Sequence, residues 1–163
     1  MINEHFEKVK EQIGRCGIWC GSCIVGNGVL TQLTRRYERL VDIYDLRDWG
    51  PKDINYDELV RGLRSIQKMV PCPGCLKGGG LDECELRSCV AARELSDCSE
   101  CGDHRSCLHA PLLKKMRSGA VQVGLFVREF DEGRADALSK WIDELPSRWP
   151  HTVLFDKQSD QWE

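Results

Sequence analysis

The stretch Cys72–Cys107, CPGCLKGGGLDECELRSCVAARELSDCSECGDHRSC, places seven cysteines in 36 residues, and its reading decides the fold. Cys72-Pro-Gly-Cys75 and Cys98-Ser-Glu-Cys101 are C-x2-C knuckles. Two residues between thiolates make a tight turn that aims both sulfurs at one ion and leaves backbone amides free to hydrogen-bond to them. Pro73-Gly74 is a turn dipeptide suited to that geometry. Cys84 and Cys89 add a C-x4-C pair, and Cys107 a further thiol. A single cysteine is most simply a small buried apolar residue; seven at this density are not explained by packing. A redox C-x2-C of thioredoxin type belongs in a βαβ context, which this pattern lacks. Metal ligation is the reading that remains.

Upstream, Cys16-Gly-Ile-Trp-Cys20-Gly-Ser-Cys23 has the spacing C-x3-C-x2-C. A closed tetrahedral site wants four ligands, so this group borrows a central ligand, takes a non-protein one, or leaves a position open. The expected metal ligands are Cys16, Cys20, Cys23, Cys72, Cys75, Cys84, Cys89, Cys98, Cys101 and Cys107. Two tetrahedral sites would use eight of them; three would need twelve ligands, which His104 and His109 could complete. A cluster with bridging thiolates would absorb all ten. His104 and His109 have H-x4-H spacing but lie too close to Cys98 and Cys101 for a standard finger, so they read as surface or loop histidines. His5 and His151 carry no such signal.

The 163 residues carry a formal net charge of −3, and the sequence pI is near 5.8. That balance argues against general nucleic-acid binding, which needs a basic face. With 41% hydrophobic and 30% charged residues the composition is globular. The N-terminal MINEHFEKVKEQ has charges where a signal peptide needs an apolar run, and no stretch approaches the roughly 18 apolar residues of a membrane helix. The expected compartment is the cytoplasm, where thiols stay reduced and an even cysteine count points to metal rather than disulfides.

Around the cysteines lie helical patterns. Asn3 to Ile13 reads as a short helix with Phe6, Val9 and Ile13 on one face. Val29 to Tyr44 carries Leu30, Leu33, Tyr37, Leu40, Val41 and Tyr44 at three- and four-residue steps, expected to face a core. Asn55 and Glu58 form a capping box ahead of Leu59, Leu63, Ile66 and Val70. Lys77-Gly-Gly-Gly80 reads as a turn between ligand pairs, since no Ser or Thr follows as in a phosphate loop. Leu112, Leu113 and Met116 suggest another helix, and Val121 to Phe130 fits helix or strand. Ala135, Leu138, Trp141, Ile142 and Leu145 mark a helix expected to stop at Pro146, with Trp149, Val153, Leu154 and Phe155 packing back on the core. The fold class is mostly α: one small helical domain over 1–163, its loop-rich, metal-stapled cysteine-bearing part at 14–112 and a helical C-terminal packing segment at 113–163.

The cysteine pattern resembles the cysteine-rich domain-of-unknown-function family numbered 3795, found in bacteria and archaea. Cys16-Gly-Ile-Trp-Cys20-Gly-Ser-Cys23 is similar to its opening C-G-x-x-C-x-x-C, Cys72-Pro-Gly-Cys75 to its C-x-G-C, and Cys84 to Cys89 to its C-x4-C; the pattern closes at Cys98, Cys101 and Cys107. Ile24 and Ser106 stand where that family often has proline, and neither removes a ligand. The resemblance implies metal binding of zinc type and carries no substrate or activity.

Three functions from different classes follow. A zinc-binding module with two or more structural ions, serving a protein or small-molecule partner and without catalysis of its own, agrees with the knuckles. It also agrees with the lack of H-E-x-x-H, deaminase, Walker or G-x-S-x-G motifs. An iron–sulfur protein, for electron transfer or ligand binding at an open cluster site, is the alternative. The opening spacing is that of radical enzymes using S-adenosylmethionine, but those need a large α/β barrel that this chain is too short to build. The central cysteines also depart from the compact ferredoxin run. Metal or sulfur handling by surplus thiols is the third, and needs exposed cysteines of depressed pKa.

Overall fold

The computed structural model describes residues 4–148. Among them are seven α-helices: α1 (Glu4–Val9), α2 (Val29–Ile43), α3 (Leu46–Trp49), α4 (Tyr56–Gln67), α5 (Glu85–Ala92), α6 (Ala110–Gln122) and α7 (Arg134–Arg148). Among these residues β pairing is confined to two isolated antiparallel bridges, Ile13 with Trp19 and Ile18 with Val127. The chain is mostly helical, with a cysteine-rich centre. No described helix is long and apolar enough to cross a membrane.

The main core is assembled on Trp19, which has no exposed surface. Its indole meets Phe6 and Phe126 edge-on, with centroids 6.2 and 5.7 Å away, and stacks on Trp141 at 5.8 Å. Its Nε1–H donates to Lys10 O at 2.6 Å, so the one polar atom of the ring is satisfied. Val29 of α2 and Ala137 and Leu145 of α7 complete this core. A second core joins Leu86 and Val90 of α5 to Leu113 of α6 and to Cys98. A third holds α2 to α4 through Val41, Tyr56 and Val60.

Several local expectations hold, and others are corrected. Asn55 caps α4, its Oδ1 accepting from the Glu58 amide at 3.2 Å. α1 stops at Val9, four residues short of Ile13, because the chain turns there to pair Ile13 with Trp19 in extended form. The ambiguous Val121–Phe130 stretch divides: α6 runs to Gln122, and the chain beyond Gly124 is extended beside Gly17–Trp19. α7 does not stop at Pro146 but runs through it to Arg148, the last described residue, although proline removes an amide donor. The apolar stripe of α2 is only partly core, for Tyr37 is 62% and Tyr44 59% exposed. On α4 the buried positions are Tyr56 and Val60, while Leu59 lies exposed; the helix ends at Gln67, and Val70 beyond it is exposed too. The outer halves of these two helices pack mainly on each other, so one seam is covered and the flanking stripe is left bare. Trp149, Val153, Leu154 and Phe155, with His151, lie outside the described residues.

Candidate metal centre

All ten cysteines are free thiols, Cys98 buried and the others half-buried. They sort into two groups around two separate cavities. Cys16, Cys20, Cys23, Cys72, Cys75 and Cys84 line a cavity of about 230 Å³ whose remaining wall includes Ile18, Leu81, Met116 and Leu125. Cys89, Cys98, Cys101 and Cys107 line a much smaller one of about 20 Å³, walled by Leu86, Val90 and Leu113; Cys89, Cys101 and Cys107 also border a more polar hollow of about 160 Å³ on their outer side.

The larger group is built by joining the opening motif to the first knuckle. Trp19 buries itself in the core between Cys16 and Cys20 and so fixes both. Gly21 lies flat against that indole: a Cβ there would stand 2.5 Å from the ring, which only glycine avoids. Ser22 Oγ donates to Trp19 O at 2.7 Å and accepts from the Phe126 amide at 3.1 Å, tying the motif to the chain beyond α6. Gln12 reaches across to the knuckle, its Nε2 donating to Pro73 O at 2.9 Å. The amide of Cys72 donates to Val25 O at 3.2 Å. Two amides then cross between the groups. Arg15 N–H faces Cys75 Sγ, and Cys75 N–H faces Cys20 Sγ, each at 3.5 Å. Gly79 presses so closely on Cys72 that a Cβ would stand 2.5 Å from its sulfur. The three upstream thiols therefore share one cavity wall with three central ones, Cys72, Cys75 and Cys84.

The smaller group hangs on a buried ion pair. Asp97, with no side-chain exposure, accepts from Arg128 at 2.7 Å and from the Ser99 amide at 2.8 Å. That second bond shapes the turn carrying Cys98 and Cys101. Ser99 Oγ donates to Arg128 O at 3.0 Å, and Cys98 N–H donates to Arg15 O at 2.8 Å. Arg93 places Nη1 3.6 Å from Cys101 Sγ while pairing with Asp103 at 2.7 Å. The His109 amide faces Cys107 Sγ at 3.4 Å. Both central histidines border this cavity with Nδ1 already engaged. His104 contacts Cys101 O at 3.1 Å and stacks on Phe130, and His109 pairs with Glu85 at 3.0 Å.

α5, in a region expected to be loop, links the two groups. Its N-cap residue is Cys84, in the larger wall, and Cys89 on the same helix is in the smaller. Burial pushes the Cys20 thiol up to about 11 and the Cys98 thiol up to about 12, and neighbouring thiols push the same way. Burial also raises Cys16, with Cys75 and Cys84 adding to it. Thiols so placed keep their protons near neutrality unless a cation replaces them. Among the described residues no three His, Cys, Asp or Glu side chains stand in the spacing of a formed metal site; the sulfurs line the cavity walls.

The donor chemistry fits metal in both places. Four thiols around a space of single-ion size suit one tetrahedral zinc, and six around an apolar cavity suit soft, thiophilic metal. Sequence reasoning found all ten sulfurs but not Arg87, Arg93, Asp97 or Arg128. Charged residues lie throughout this segment, and nothing in their spacing marks these four.

Residues 12–111 match the family described as Protein of unknown function (DUF3795), and the chain belongs to that family. No curated protein and no solved structure matches the chain.

Proposed function

From that family membership and the two sulfur-lined cavities, we propose that the protein is a zinc-binding module. Its metal sites are of structural type, and it has no catalytic activity of its own. The observation that carries this reading is the partition of the thiols: six line one cavity, four line the other, and none is left over. Cys89, Cys98, Cys101 and Cys107 would hold one ion and clamp α5 to the turn before α6. The six-thiol group would tie the opening motif, fixed by Trp19, to the central knuckle. A structural zinc site contributes about 10–16 kcal/mol against a domain stability of about 5–15 kcal/mol, so metal would decide whether the centre folds. Reduced thiols of this number suit the cytoplasm. Tyr37, Leu40 and Tyr44 recur on one face of α2 and are all exposed, which suits a partner-binding role.

A second reading, an iron–sulfur centre in the larger cavity, is favoured by its volume, since about 230 Å³ far exceeds the space of one ion. Purification without oxygen, followed by zinc, iron and acid-labile sulfide analysis, tests both. Colourless protein with two or more zinc ions per chain supports the zinc reading. Brown protein with iron and sulfide moves the larger cavity to the second reading. Protein whose circular dichroism and melting temperature survive complete chelation refutes the structural role.

A further inference from the structure

Arg87, on α5, borders the six-thiol cavity. Its Nη2 donates to Gly79 O at 2.6 Å and faces Cys75 Sγ at 3.9 Å. Its Nε is buried and has no hydrogen-bond partner, and among the described residues no carboxylate pairs with it. Of the other arginines at the two centres, Arg93 has Asp103, Arg128 has Asp97 and Glu100, and Arg15 donates its Nη1 to the Leu95 and Ser96 carbonyls. A half-buried guanidinium with no ion pair, and with one buried N–H left without an acceptor, is unfavourable. An acceptor held in the cavity would satisfy that N–H.

Two features describe that occupant. Six thiols are more than one tetrahedral ion can use, and the space is about 230 Å³ where the four-thiol cavity is about 20 Å³. Two divalent ions bound by six thiolates keep a net negative charge, and so does an iron–sulfide core bound by four. Building on the metal-binding reading above, we propose that the six-thiol cavity holds an anionic centre of more than one metal ion, with Arg87 as its counter-charge and Nε–H donor. Arg87 acts through the sulfurs and is a positioning residue. Its place on α5, between Cys84 and Cys89, gives the cation the same rigid support as the thiols on either side.

The test uses the full chain kept free of oxygen and loaded in parallel with Zn²⁺ or with ferrous iron and sulfide. Wild type, Arg87→Ala and Arg87→Lys are compared by metal and sulfide per chain and by competition with a chelator. Wild type should retain more than two metal ions per chain in at least one arm, one of them in the four-thiol site. Arg87→Ala should hold the larger centre about 10–100-fold more weakly, the usual effect of removing a residue that orients metal ligands, while keeping the ion of the smaller site. Arg87→Lys restores charge without the Nε donor and should fall between the two. A wild-type chain retaining some metal but no more than two ions in both arms overturns this inference and leaves the metal-binding reading standing. So does an alanine variant that holds its metal as tightly as wild type. A chain that takes no metal in either arm overturns both. If Arg87→Ala does not fold, the wild-type count and the lysine variant decide.

Discussion

Replacing Asp97 isolates the ion pair beneath the second knuckle. Its carboxylate is fully buried and serves Arg128 at 2.7 Å, Arg134 at 3.5 Å and the Ser99 amide at 2.8 Å. Removing one partner of a buried pair costs about 3–5 kcal/mol, because the other charge stays buried and uncompensated. Here Glu100 Oε1 remains 3.1 Å from the same Arg128 nitrogen, which holds the loss near the lower end. Asp97→Asn, which can still accept from the Ser99 amide, should lose about 3 kcal/mol. Asp97→Ala also forfeits that bond and should lose about 1 kcal/mol more. The assay is denaturant unfolding at fixed free zinc, so that metal linkage is equal across variants. Adding Arg128→Met to Asp97→Ala removes the stranded charge, and the double variant should be less destabilised than the sum of the singles. An asparagine variant within about 0.5 kcal/mol of wild type, or a double variant whose loss equals the sum, refutes the reasoning.

Trp19→Ala should cost about 3–5 kcal/mol in denaturant unfolding by emptying the main core, and should weaken metal retention at the six-thiol cavity more than at the four-thiol one. Gly79→Ala drives a Cβ into Cys72 Sγ and should lower metal per chain. Gly119→Ala, with open space around it on α6, should leave metal unchanged and raise stability by about 0.4–1 kcal/mol. Glu38 on α2 is held below the usual carboxylate range by the Gln67 amide and then Arg64 of α4. Its contribution is fully present above the unfolded carboxylate pKa and is lost as pH falls through the lower folded value. Glu38→Gln should therefore cost about 0.5 kcal/mol near neutrality and nothing in strong acid, as read from melting temperature against pH.

Much of the site was legible as composition and spacing. Cysteines at knuckle intervals point to metal wherever the chain carries them, because the x2 turn itself brings two sulfurs together. The same holds for Asn55, whose capping role needs only the next three residues. The stripes on α2 and α4 were legible as helices but not as core. Periodicity shows which residues share a face and says nothing of what covers it, so Tyr37 and Tyr44 were expected inside and stand outside. α5 escaped notice because its eight residues, with Cys89 among them and Cys84 as the N-cap, carry too short an apolar period to register; Leu86 and Val90 pack on Leu113.

By itself, then, the sequence determined a mostly helical chain and ten cysteines, three near its start and seven in its centre. Tertiary structure decided the partition into six and four, for that depends on Trp19 locking into one core while Asp97 and Arg128 lock beneath another. It also decided that Cys16, Cys20 and Cys23 share a cavity wall with Cys72, Cys75 and Cys84, and that Arg87 ends beside them with no carboxylate paired to it among the described residues. Spacing fixes which sulfurs can turn toward a common point. Which points exist, and what charge faces them, is set by contacts between residues some sixty positions apart, such as Arg15 with Cys75.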